Sequence, residues 1–190
     1  MRSLVVLALT ALATTASAQT SVKLELRAFS TSASERPVFG ANALIDHVYT
    51  PRFKAWAWLQ TEEKWAEAYA GMAFTPANWF EFGLGAGIEQ ANKPWRVGGY
   101  LWMGNKYVSL LALAEEGGSG PWYQATLLGK LTTWFQFGAM IKRFAGLGYR
   151  LDFSLPNGPK VKLWAAHLLL DPETNSVDSK RILAGLSYSF

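Results

Sequence analysis

Arg181-Ile-Leu-Ala-Gly-Leu-Ser-Tyr-Ser-Phe190 is the stretch on which the reading of this chain turns. Successive side chains of an extended strand point to opposite faces. Ile182, Ala184, Leu186, Tyr188 and Phe190 therefore share one face, and Leu183, Gly185, Ser187 and Ser189 the other. The first face is apolar at every position and ends on an aromatic ring. A strand with that division needs an apolar surrounding on one side only.

The same two-residue period recurs backwards along the chain, bounded by Gly, Pro, Asn and Asp clusters. Apolar residues alternate with mixed ones over 159–170, 147–155, 133–143, 121–131, 106–115, 95–103, 79–90, 65–74, 52–60 and 21–30. The cleanest is 79–90, where Phe80, Phe82, Leu84, Ala86 and Ile88 oppose Glu81, Gly83, Gly85, Gly87 and Glu89. In 38–49, Phe39, Ala41, Ala43, Ile45 and Tyr49 alternate, but Gly40, Asn42 and Asp46 weaken the pattern. Connections alternate between short turns (50–51, 75–78, 104–105, 131–133, 156–158) and mostly longer polar loops (31–37, 90–94, 115–120, 171–180, with 61–64 and 143–146 brief). The expected class is all-β, in a single antiparallel sheet without repeats or linkers.

At the amino end, Arg2, the apolar run from Leu4 to Ala13 and the small residues Ala16-Ser17-Ala18 make a secretory signal over 1–18. That run is too short to cross a bilayer as a helix, which takes ~20 residues. The mature domain is then 19–190, and Gln19 in place of cysteine argues against a lipid anchor. No cysteine occurs in the 190 residues. Stability in an exported setting must come from packing or from a membrane, and thiol chemistry and cysteine-based zinc sites are excluded. A formal charge of +4 is too mild to point to nucleic acid. Half the residues are hydrophobic, nine of them tryptophan, yet they are spread by alternation rather than gathered into runs.

The terminal strand resembles the closing strand of bacterial outer-membrane β-barrels. That resemblance implies a transmembrane barrel with both termini periplasmic, in which Leu186, Tyr188 and Phe190 serve as the signal read by the barrel-assembly machinery. Single-chain bacterial barrels have an even number of strands. This promotes 38–49 to a strand and gives twelve, with ten as the count if 31–49 forms a loop or plug. In architecture the chain is similar to twelve-stranded channels for acidic oligosaccharides. The resemblance implies an outer-membrane location, contact with outer-membrane lipid, and no enzymatic activity or cofactor.

A charge at mid-bilayer depth costs about 2–4 kcal/mol for Lys or Arg, so the apolar face meets lipid and the mixed face lines the interior. The expected solute path comprises Lys23, Arg27, Arg52, Lys54, Arg96, Lys130, Arg150, Lys160 and Lys162, with Trp56, Trp58, Trp102, Trp122, Trp134 and Trp164. Lys142 and Trp65 join them. Against these cations stand Glu25, Glu67, Glu81, Glu89, Glu115 and Asp152, which predicts a cationic excess. Trp79 and Trp95, near strand ends, suit the interfacial aromatic girdles. Two readings of such an interior stay open. One is a narrow, mildly anion-preferring passive channel for small solutes. The other is a plugged structural or interaction barrel that acts through its outer loops; twelve strands lie between filled and open barrels.

Other chemistry is sparse. His47 and His167, the only histidines, fall on the lipid-facing register without a serine placed for a nucleophile–base pair. Gly83, Gly85 and Gly87 do not open a helix, so they are not a phosphate loop. They relieve crowding inside a curved sheet. No metal site is expected.

Overall fold

The computed structural model describes residues 20–30, 36–156, 160–171 and 176–190, with backbone alone over 176–180. The segment read as a signal, 1–18, lies outside them. The strands are β1 (Thr20–Ser30), β2 (Val38–Thr50), β3 (Phe53–Glu62), β4 (Trp65–Ala77), β5 (Phe80–Glu89) and β6 (Trp95–Gly104). They continue as β7 (Val108–Gly117), β8 (Trp122–Lys130), β9 (Phe135–Lys142), β10 (Gly146–Ser154), β11 (Val161–Asp171) and β12 (Ser176–Ser189). Each pairs antiparallel with its sequence neighbours, and β1 closes on β12. Closure leaves no unpaired edge. Twelve is thus the strand count, and 38–49 is a strand paired on both sides.

Closure runs from Lys23 opposite Ser189 to Ser30 opposite Ile182. The Phe190 N–H donates to the Val22 carbonyl oxygen at 2.9 Å. An even strand number brings the start of β1 and the end of β12 to one rim, the rim that carries the short turns. The alternation holds around the barrel. Leu26, Leu84, Ile88, Leu127, Leu163 and Ile182 project outward and are exposed, whereas Arg96, Asp152 and Ser187 project inward and are buried.

The structure departs from the sequence reading in two respects and bears out the brief connection near 143–146. β12 begins at Ser176, although 171–180 read as a polar loop. Leu170 pairs with Val177 and Asp171 with Ser176, because backbone pairing beyond the apolar band asks nothing of side-chain hydropathy. A bulge between Leu168 and Leu170 accommodates the shift. The brief 143–145 connection turns through Phe144 at φ 64° and Gly146 at φ 111°, which tucks Ala145 inward. The inner face is also less polar than the alternation suggests. Met140, Ala145, Trp164, Ala166, Leu168 and Leu183 form a buried apolar cluster, with Phe29 packed against it.

Outward aromatics gather at the short-turn rim. Phe53 meets Phe74 at 4.8 Å between centroids, Phe74 meets Phe82 at 6.0 Å, and Tyr188 meets Phe190 at 4.6 Å. Trp79 packs beside Phe80.

Candidate functional site: the barrel lumen

Interior tryptophans lie against the wall on glycines of neighbouring strands or of their own. A Cβ at Gly85 would stand 2.7 Å from Trp56 Cζ2, one at Gly83 2.9 Å from Trp56 Nε1, and one at Gly71 2.8 Å from Trp56 Cε2. The glycines of β4 and β5 are the seat of that indole. Gly185 seats Trp164 in the same way, its Cβ position 2.5 Å from Cε2. Gly104 seats Trp102. Large rings are thereby taken up by the wall rather than thrust across the interior.

Among the described residues, three chambers stand out. The largest, about 330 Å³, is bordered by Lys23, Arg27, Lys142, Arg150 and Lys162, with Glu25 the sole carboxylate among its described lining residues. A second, about 260 Å³, sits at the loop end between Glu62, Trp65, Glu67, Arg96, Ser119 and Phe144. A third, about 220 Å³, lies toward the short turns on the β2–β7 side, among Trp56, Trp58, Tyr69, Tyr100 and Trp102. The first and second share Trp122 and Lys142; the first and third share Leu44, Trp58, Trp102, Leu111 and Leu113. Those residues stand between neighbouring chambers.

Charges inside are paired in networks. Arg96, almost fully buried, contacts Glu89 at 2.5 Å, Glu115 at 3.0 Å and Glu67 at 3.6 Å. Glu89 also accepts from the Ser119 N–H and hydroxyl, each at 2.7 Å. This fastens the β7–β8 loop to the wall. Lys54 Nζ lies 2.8 Å from Glu81 and 3.2 Å from Asp46. Tyr100 donates to Glu81 and Tyr69 to Glu115, both at 2.8 Å. On the opposite side Arg150 binds Asp152 at 2.6 Å and stacks 4.1 Å over Trp164, whose Nε1 donates to Glu25 at 3.1 Å. Arg27 meets Glu62 at 2.5 Å.

Most of the residues expected from sequence come together here: Lys23, Arg27, Lys54, Arg96, Arg150, Lys162, Trp56, Trp58, Trp102, Trp122 and Trp164 all border a chamber. Four do not. Arg52 and Lys160 are exposed in turns, and Lys130 is the exposed last residue of β8. Trp134 precedes β9, is 45% exposed, and stacks on outward Phe153 at 6.3 Å. At a strand end the two-residue period no longer governs direction, because the backbone has begun to turn. Sequence reasoning also missed Asp46 and Glu62, which the alternation within their own strands would have turned inward. With these changes the expected cationic excess disappears. Lys23, Arg27, Lys54, Arg96, Lys142, Arg150 and Lys162 face Glu25, Asp46, Glu62, Glu67, Glu81, Glu89, Glu115 and Asp152 in near balance. The signs are segregated instead. Basic groups dominate the wall of β1 and β9–β11, and acidic groups that of β2–β7.

Both histidines are on the outer register. His47 Nδ1 lies 2.8 Å from the Thr20 hydroxyl, and His167 Nδ1 2.9 Å from the Tyr149 hydroxyl.

Neither a protein-family model nor a curated protein sequence matches the chain. Solved structures do. The KdgM porin, solved in complex with disordered oligogalacturonate, superposes with a TM-score of 0.57 at 12% identity, over 90% of this chain and 99% of that one. The NanC porin gives a TM-score of 0.54 at 11% identity, over 87% and 98%. At these identities the likeness is one of architecture: the chain has the fold of the twelve-stranded porins.

Proposed function

We propose that this protein is an outer-membrane barrel through which small solutes diffuse passively, with a mild preference for anions. The observation that carries the reading is the largest chamber, about 330 Å³, edged by five Lys and Arg side chains and one carboxylate. Fixed charge along a narrow path sets which ions dwell there. The outward apolar band and the aromatic rim suit a bilayer. On this reading residues 1–18 are removed during export, and the short-turn rim with both termini faces the periplasm. Leu186, Tyr188 and Phe190 then present the outward face that the assembly machinery recognises. Acidic saccharides are one solute class the basic chamber suits, through charge and through ring faces stacked on Trp58, Trp102 and Trp122.

The test is planar-bilayer recording of the refolded mature chain. Unitary conductance steps are expected, with a reversal potential in a salt gradient displaced toward that of chloride. Absence of any unitary current would overturn the channel reading.

A further inference from the structure

The chamber of about 220 Å³ enclosed by β2–β7 differs in character from the basic one beside it. Its apolar lining includes Trp56, Trp58, Tyr69, Tyr100, Trp102 and Leu113. Its charges are Asp46, Glu81 and Glu115, with Lys54 as the one cation among the described lining residues. Lys54 Nζ sits between Asp46 and Glu81 and 5.8 Å from the centroid of Tyr100. The Tyr100 ring therefore already has an ammonium group over it.

One ammonium does not balance three carboxylates. Arg96 reaches Glu115 but also serves Glu67 and Glu89. Asp46 has as its charge partner the Lys54 ammonium, 3.2 Å from its Oδ1, which it shares with Glu81. Surplus negative charge beside apolar walls is poorly solvated. Aromatic faces attract cations, most strongly when water is scarce. The two features call for one kind of occupant, since a bare alkali ion gains nothing from the leucines and a neutral ring leaves the carboxylates unmatched.

We propose that this chamber binds an organic cation, an ammonium centre carried on an aromatic or branched alkyl body. The body lies against Trp58, Trp102 and Leu113, and the charge points toward Asp46 and Glu81. The space corresponds to about seven water volumes at ~30 Å³ each, enough for a benzyl or trimethylammonium group. Binding needs access from one mouth and no conduction, so the proposal goes beyond the channel reading.

The experiment is titration of intrinsic tryptophan fluorescence in the full-length mature barrel in detergent. The probes are benzyltrimethylammonium, benzyl alcohol and benzenesulfonate at constant ionic strength. A saturable change is expected for the ammonium, with affinity about tenfold above that of either comparison probe. Asp46→Asn should weaken it several-fold. Leu113→Trp, which fills the chamber without altering charge, should abolish it. No saturable change, or equal binding of benzyl alcohol or benzenesulfonate, would overturn the proposal. The probe series on the unaltered protein decides the matter even if a variant fails to fold. A barrel that binds the ammonium but carries no current loses only the channel reading; one that conducts but does not bind loses only this proposal.

Discussion

Gly185 and Trp164 illustrate how a single missing methyl shapes this lumen. The three atoms nearest a Cβ at Gly185 all belong to the Trp164 indole, so an alanine there must push the ring inward. The ring is held by Glu25 and by the Arg150 guanidinium stacked on it and yields at a cost. Gly185→Ala is expected to destabilise the barrel by about 1–3 kcal/mol, measured by urea unfolding in detergent or lipid. In a Trp164→Leu background most of that cost should vanish, and additivity of the two changes would refute the seat. Arg96 gives a second case. Arg96→Met leaves Glu67, Glu89 and Glu115 without their shared cation, and removing one member of a buried ionic network costs about 3–5 kcal/mol. Glu67→Gln, whose contact is the longest at 3.6 Å, should cost clearly less in the same assay. The inward direction of Arg96, Trp164 and Lys54 was legible in the sequence because they sit within strands. The partners were not. Which carboxylates meet Arg96 depends on closure bringing β4, β5 and β7 around β6, and a period-two pattern carries no register between strands.

At the scale of a strand, β5 states the division most simply. Leu84 is 69% exposed on the outer face, while Gly83 and Gly85 on either side support Trp56. If the outer face meets hydrocarbon, Leu84→Arg near mid-strand should lower unfolding stability in lipid by about 2–4 kcal/mol. The same change in Glu116, an outward residue near the loop end of β7, should cost under about 1 kcal/mol because depth sets the penalty. Equal costs at both sites would contradict a bilayer around β5. Alternation alone secures eleven strands; 38–49, where Phe39, Ala41, Ala43 and Ile45 keep their period through the weakening Gly40 and Asn42, becomes the twelfth only through the even strand number of such barrels. Strand ends were less legible. β12 reaches back to Ser176 through polar residues, and Arg52, Lys130, Trp134 and Lys160 fall in or beside turns, where hydropathy no longer reports direction.

For the whole molecule, near balance of the interior charges changes what selectivity can mean. A uniformly basic lumen would prefer anions by its net charge. Here carboxylates and cations are close to equal, so any preference must arise from where they lie relative to the path. Along the 330 Å³ chamber the groups are basic, and on the far wall most carboxylates are engaged by Arg96, Lys54, Tyr69 and Tyr100. The basic groups of this chamber include Lys23, Arg150 and Lys162, the last two beside Asp152. Replacing Lys23, Arg150 and Lys162 by Gln leaves Arg27 and Lys142 as the cations of this chamber and puts the acidic wall in surplus. The reversal potential in a tenfold KCl gradient should then change sign, from chloride-directed to potassium-directed, with unitary conductance altered less than twofold. A variant that keeps its chloride preference would mean that ions travel elsewhere than the basic chamber. A variant that keeps neither preference nor current, while still migrating as a folded barrel, would mean that these three side chains hold the path open rather than select what passes.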